Sequence, residues 1–340
     1  PYYATTPGQR KVQLKNTFWS RNRFHSSFIL NLFEAPYKIQ SELLKVSERK
    51  GTTMPMFSTQ PRRRFLQALL QSCTAGALLP QLNTLFAEEP GQSTRSIPPV
   101  PGKLSVGLRK RGKETDAPAT TEQTEWNASE TAIIICDMWA DHPCKLAAQR
   151  VDRMAPRMNE VISKARDQGV AIIHAPSGGI QLYEDTPYRQ RIKEAKPSKP
   201  PVPIQSWCYL NPEKEPPLPV DDTVQRSTES SIRGCDDPIA DYKKNTDRHE
   251  HPAIKIIGYD VISANGQEIY NFLEQEQRKN IVIMGVHTNM CVLGRPFGIR
   301  QLRYLDKNVV LCRDLTDALY DPRDRPYVSH ARGTEMIIEH

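Results

Sequence analysis

The sequence predicts an α/β fold in which a mainly parallel sheet is covered by helices on both faces. Three observations carry this. Short apolar runs rich in β-branched residues recur at 132–137, 170–174, 281–286 and 308–312, and such runs read as buried strands. Stretches with helical periodicity lie between them, at 146–168, 264–278 and 291–303. Strand-helix alternation of this kind calls for a parallel sheet whose crossovers cover both faces.

Taken in chain order, residues 88–126 are rich in Pro, Thr, Ser, Gly and charge and read as a linker, with an opening strand near "KLSVGL" at 103–108. The α/β core then spans 127–340. Strand 132–137 leads into a helix whose "MNEVISKARDQG" ends on a Gly stop, followed by strand 170–174. Some eighty residues separate His174 from Lys255, including the Pro-rich 196–220, and form an insertion at about 178–250. A segment that long is either a functional cover or a peripheral excursion serving as an oligomer contact. Trp207, Cys208 and Tyr209 supply it with an apolar anchor. A further strand is expected at "HPAIKII", 251–257, then helix 264–278, strand 281–286, helix 291–303, strand 308–312 and a terminal helix.

The net charge of +7 is local. Residues 1–64 hold twelve Lys and Arg against three Asp and Glu, which leaves 34 against 36 for the remainder. The core therefore has no global basic field for a phosphate backbone, and no nucleic-acid partner is expected. Residues 61–87 resemble a twin-arginine export signal, with Arg62-Arg63, Phe65-Leu66, a modest apolar stretch and Ala87 before Glu88-Glu89. The apolar part is too short for a membrane span. Export to the bacterial periplasm or envelope is expected, and residues 1–60 read as a disordered or mis-called extension, with Met54 and Met56 as alternative starts. In an oxidising compartment Cys208 and Cys235 are the pair expected to bridge, the alternative being that every thiol stays reduced.

Chemistry gathers where the strands end. The runs 131–138, 251–257 and 281–292 deliver Asp137, Lys255 and Cys291: a carboxylate, an ammonium and a thiol. In an open parallel sheet those ends face one crevice. A nucleophilic thiol needs a base for its proton and a cation to hold acid and thiolate together. Cys291 should also open a helix, whose N-terminus favours a thiolate. The alternative is that Cys291 is a buried small hydrophobe, the common fate of free cysteines.

"IIICDMW", "IKIIGYDVISANGQEIYNFL", "IVIMGVHTNMCVLGRPFGIRQL" and "NVVLCRDLTDAL" in this order resemble the isochorismatase-like cysteine hydrolases, the superfamily that contains nicotinamidases. The resemblance covers roughly 130–335 and implies that 127–340 is a hydrolase domain with a three-layer α/β/α, Rossmann-like, isochorismatase-like fold. It implies Cys291 as nucleophile, Asp137 as general base and later acid, and Lys255 as the cation of the triad. It also implies a cis Val286–His287 bond and an oxyanion hole made by the amides of His287 and Cys291. Trp139, His142, His174 and Tyr259 are the candidates for the substrate pocket. The family's metal site, an Asp-x-His pair, has no counterpart in 174–189, so no cofactor is expected, although His142, His174 and His287 could hold a metal ion in another arrangement.

The implied activity is hydrolysis of a small carboxamide or related acyl compound through a Cys thioester. The alternatives are an isochorismatase-type vinyl-ether hydrolase, or an exported binding protein that kept the fold and lost the activity. A small-molecule substrate and a homo-oligomer are the partners expected. The family usually adds an edge strand after the helix in which this sequence ends.

Overall fold

The computed structural model describes residues 28–31, 102–111, 119–224, 233–238 and 247–340. The export signal read at 61–87 and most of the extension read at 1–60 lie outside the described residues. Phe28–Asn31, within that extension, form a strand, β1.

The sheet has eight strands. In chain order they are β1 Phe28–Asn31, β2 Lys103–Lys110, β3 Thr120–Asn127, β4 Thr131–Cys136, β5 Ala171–Ala175, β6 Val261–Ile262, β7 Asn280–Val286 and β8 Asn308–Asp317. The spatial order is β3-β2-β1-β8-β7-β4-β5-β6. Strands β1, β8, β7, β4, β5 and β6 pair in parallel; β2 is antiparallel to β1 and β3 to β2. The helices are α1 Lys145–Asp167, α2 Pro187–Lys193, α3 Gly266–Gln275, α4 Cys291–Gly294, α5 Ile299–Tyr304 and α6 His330–Glu339.

Strand β4 explains the layering. Every one of its residues is buried, as a central parallel strand covered on both sides requires. Ile133 and Ile135 point to the core shared with Met158, Val161 and Ile162 of α1. Ala132, Ile134 and Cys136 point to the opposite core, with Phe272 and Leu273 of α3 and Leu302 of α5. Period-two alternation thus feeds two cores from one strand.

Four sequence expectations change. The stretch 88–126, expected to be linker, contributes β2 and β3, so the sheet takes in residues before the 127 expected as the start of the core. In β2, Leu104, Val106 and Leu108 alternate inward; β3 is a polar edge strand in which only Trp126 is fully buried. Residues 251–257 form turns, not a strand. Pro252 offers no N–H to a ladder, and the apolar side chains split, Ile254 buried and Ile257 exposed. The sheet is continued instead by the two residues of β6. The helix expected over 291–303 is broken into α4 and α5 around Arg295-Pro296, because a proline has no N–H to give the helical ladder. Finally, Cys208 and Cys235 lie in different places: the Cys208 amide donates to Gly294 O at 2.7 Å, whereas Cys235 packs with Cys144, Ala147 and Leu319.

Where it is described, the insertion is ordered against the site's flank. Trp207 lies over the Gly294 backbone, where a Cβ would come within 2.6 Å of its ring. Glu215 pairs with Arg300 of α5 at 2.6 Å. Tyr209, expected to share the anchoring, is 74% exposed.

Candidate active site

Asp137, Ser177 and Cys291 meet at the C-terminal edge of the sheet. Asp137 is the first residue past β4 and has a positive φ of 52°, a conformation that Asp adopts more readily than most residues. Its amide donates to Ala175 O at 3.3 Å, and its side chain is turned inward and buried. The carboxylate accepts hydrogen bonds from both the amide and the hydroxyl of Ser177, two residues past β5. The Ser177 hydroxyl is also 3.6 Å from Cys291 Sγ, so one small side chain bridges carboxylate and thiol.

Cys291 is half-buried at the start of α4. Strand β7 reaches it through Gly285, whose φ of +103° and close approach to the Cys136 carbonyl leave no room for a side chain. A register shift follows, from Ile283 opposite Leu311 to Gly285 opposite Thr316. The Val286–His287 peptide bond is cis. In the turn beyond it, the amides of Thr288, Met290 and Val292 donate to Asp317 O, His287 O and His287 O.

Burial pushes the Cys291 thiol up to about 12, with the Asp137 charge adding to the rise and Arg295 and Ser177 opposing it. The expected helix-terminus effect is not what governs it: α4 has four residues, too short for a sizeable dipole.

The cation beside the thiol is Arg295. Its guanidinium stands close enough to interact with Cys291 and Asp137, and although burial opposes its charge, these two groups favour the protonated form. The guanidinium lies 5.4 Å from the centre of the Trp207 ring, within cation–π range. Lys255 does not join this group. It is exposed, its amide donates to Asn159 of α1 at 2.9 Å, and its Nζ donates to Pro252 O at 2.8 Å. The turn at 251–257 carries it to the α1 side instead of the sheet edge.

Two of the pocket candidates stand at the site. Trp139 and His142 stack at 4.4 Å, and the His287 ring meets them at 5.7 and 5.5 Å. Burial, then the nearby His142, hold His287 down to about 3, so it is neutral, and its buried Nε2 has no hydrogen-bond partner among the described residues. His174 has a different task. It is fully buried, bridging Glu250 at 2.9 Å and Asp260 at 3.3 Å, while Arg166 clamps Asp260 from outside. Burial alone would lower its pKa, but hydrogen bonds to the two carboxylates raise it to about 9. Tyr259 lies under Arg191 of α2, 5.6 Å from its guanidinium.

Glu250 carries no mark of a site residue in the sequence. It pairs by a backbone bridge with Trp139, and burial followed by the Asp137 charge raises its carboxyl, with His174 opposing. Ser177 and Arg295 likewise escape sequence reasoning. Their signals are slight: a Ser in "HAPSGG" after a strand, and an Arg one turn beyond the cysteine in "CVLGR". Among the described residues no group of three His, Cys, Asp or Glu is arranged to hold a metal ion. Nor is any helix among them long and apolar enough to cross a membrane.

No protein-family profile matches the chain, and no curated protein does. Among solved structures, it is similar to a cysteine hydrolase from Pseudomonas syringae pv. phaseolicola 1448A, at 17% identity and a TM-score of 0.36, covering 62% of this chain and 84% of that one. A likeness at that level bears neither on chemistry nor on substrate, and the α/β assignment rests on the sheet itself.

Proposed function

We propose that the protein is a cysteine hydrolase acting on a small carboxamide or related acyl compound. The observation that carries this reading is the convergence of a buried carboxylate, a hydroxyl, a thiol and a guanidinium: Asp137, Ser177, Cys291 and Arg295. A thiol held protonated by burial needs a base at the moment of attack, and Asp137 is the acceptor within reach.

In this mechanism Asp137 removes the Cys291 proton, with the Ser177 hydroxyl steadying both groups, as Sγ attacks the carbonyl carbon. The developing oxyanion is assigned to the amides of His287 and Cys291, neither of which is used by the turn bonds given above. The proton on Asp137 then passes to the departing amine. Water, activated by the same carboxylate, cleaves the thioester and restores the thiol. Arg295 keeps a positive charge beside Asp137 and Cys291, the duty that the sequence resemblance gives to Lys255. The stacked rings of Trp139 and His142, with neutral His287 tilted against them, offer an aromatic wall for a planar substrate group. The export signal read at 61–87 would place this activity in the bacterial envelope.

The test is a panel of small primary carboxamides, with ammonia release as the readout and intact-protein mass spectrometry to trap an acyl group on Cys291. Turnover with an adduct that vanishes in Cys291→Ala supports the reading. Ammonia release that survives Cys291→Ala without an adduct would mean that water attacks the amide directly and that Cys291 is not the nucleophile.

A further inference from the structure

A second pair of thiols lies apart from the nucleophile. Cys144, the residue preceding α1, and Cys235, in the described piece of the insertion at 233–238, are both reduced thiols in one buried cluster with Ala147, Leu319 and Met290. The two side chains lie together in that cluster, close enough for the thiols to act on one another. They come from positions 91 residues apart, yet the backbone around each is fixed. The amide of Lys145 donates to Asp237 at 3.1 Å, Asp236 takes two hydrogen bonds from Arg150 at 2.9 and 3.1 Å, and Gly234 is seated so closely against Leu319 O that a Cβ would not fit.

We propose that Cys144 and Cys235 form a reversible disulfide that fastens the 233–238 segment to the start of α1. The geometry favours a bond here over the Cys208–Cys235 pairing expected from the sequence, because Cys208 is held on α4 by its own backbone. Closing it leaves no polar group stranded: the Cys144 thiol gives up its 3.7 Å contact to Asp236, but Asp236 keeps both bonds to Arg150. The bond would also tie down the pocket wall, since the Cys144 amide donates to His142 Nδ1 at 3.1 Å.

The oxidant is a small-molecule disulfide such as oxidised glutathione. Cys235 is 8% exposed and Cys144 is 0%, so exchange starts at Cys235. Its sulfur loses a proton and attacks the disulfide, forming a mixed disulfide and releasing one thiol. Cys144 sulfur then loses its proton and displaces the second thiol, closing the protein bond. Two protein thiols are oxidised and one disulfide is reduced to two thiols.

The experiment uses the full chain equilibrated in glutathione redox buffer, then alkylated and mapped by peptide mass spectrometry without reduction. The expected result is one intramolecular bond joining Cys235 to Cys144, located by fragmentation on Cys144 rather than Cys136. The thermal unfolding midpoint should rise by on the order of 10 °C and return on reduction, since the loop closed is long. Cys144→Ser and Cys235→Ser should each lose both the bond and the shift. A mixed disulfide that persists on Cys235, a bond from Cys235 to Cys208 or Cys136, or no bond at all would overturn the proposal. Because the mapping is made on the wild-type chain, it decides the matter even where a variant fails to fold, and the result is independent of whether Cys291 is a nucleophile.

Discussion

Arg295 lies one turn beyond Cys291 in the same segment, its amide donating to Cys291 O at 3.1 Å and its guanidinium turned back onto the thiol. Nucleophile and cation are thus held by a single short turn. The arrangement does not depend on how a distant strand is placed.

The first prediction follows from that relationship. Arg295→Gln should lower kcat/KM by about 10²-fold, as removal of one preorganised charge from an enclosed site typically does, while leaving the fold intact. Lys255→Ala should change kcat/KM by less than about twofold, because its side chain is exposed and its bond is to a local carbonyl. Steady-state rates for both variants on one substrate decide between the two cations. A large loss in Lys255→Ala alone would restore the triad implied by the sequence.

The contrast shows where the sequence is legible. Strand ends bearing Asp137 and Cys291 can be read because β4 and β7 are buried on both faces and so are written as unbroken apolar runs. The run around Lys255 has the same composition but spends its apolar residues differently, Ile254 against α1 and Ile257 in solvent. Composition cannot distinguish a strand from a turn that covers a helix. Arg295 and Ser177 are illegible for another reason: each acts through a tight turn whose direction only the fold sets. The polar strand β3 reads as linker because an edge strand buries little and shows almost no alternation.

The second prediction concerns the nucleophile and its base. Cys291→Ala should abolish turnover, and Asp137→Asn should reduce the rate by about 10²–10⁴-fold, the usual contribution of a general base. Because burial and Asp137 hold the thiol up to about 12, alkylation of Cys291 by iodoacetamide should rise about tenfold per pH unit between about pH 6 and 9. A plateau below about pH 8 would mean a preformed thiolate. Cys136 and Cys312 are both buried and should label later than half-buried Cys291.

The third prediction isolates the bend that delivers the nucleophile. Gly285→Ala should destabilise the protein by more than about 3 kcal/mol or prevent folding, since it combines a positive φ with a clash on the Cys136 carbonyl. Gly178 has nothing within 4 Å of a notional Cβ, so Gly178→Ala should stay within about 1 kcal/mol. Urea unfolding midpoints of the two variants test this. Equal effects would mean that β7 can reach Cys291 without the bend.

The last prediction rests on the buried chain Glu250–His174–Asp260–Arg166 behind the site. His174 is raised from 6.5 to about 9 by its two carboxylate partners, against burial. A histidine whose folded pKa is raised contributes stability that is complete below the unfolded value and is lost as pH climbs through the folded one. Stability should therefore fall between about pH 6.5 and 9, by on the order of 2–3 kcal/mol for a shift of this size. Glu250 is also shifted upward, by burial and then Asp137 with His174 opposing, so its contribution too is lost as pH rises and does not cancel that of His174. Urea unfolding at about pH 6, 7.5 and 9 should show a declining midpoint in the wild type. His174→Gln, which keeps hydrogen-bonding capacity but cannot titrate, should be less stable at the acid end of that range and should lose most of the slope. A wild-type midpoint that rose over this interval would mean that His174 is neutral in the folded protein and that the chain is held by uncharged hydrogen bonds.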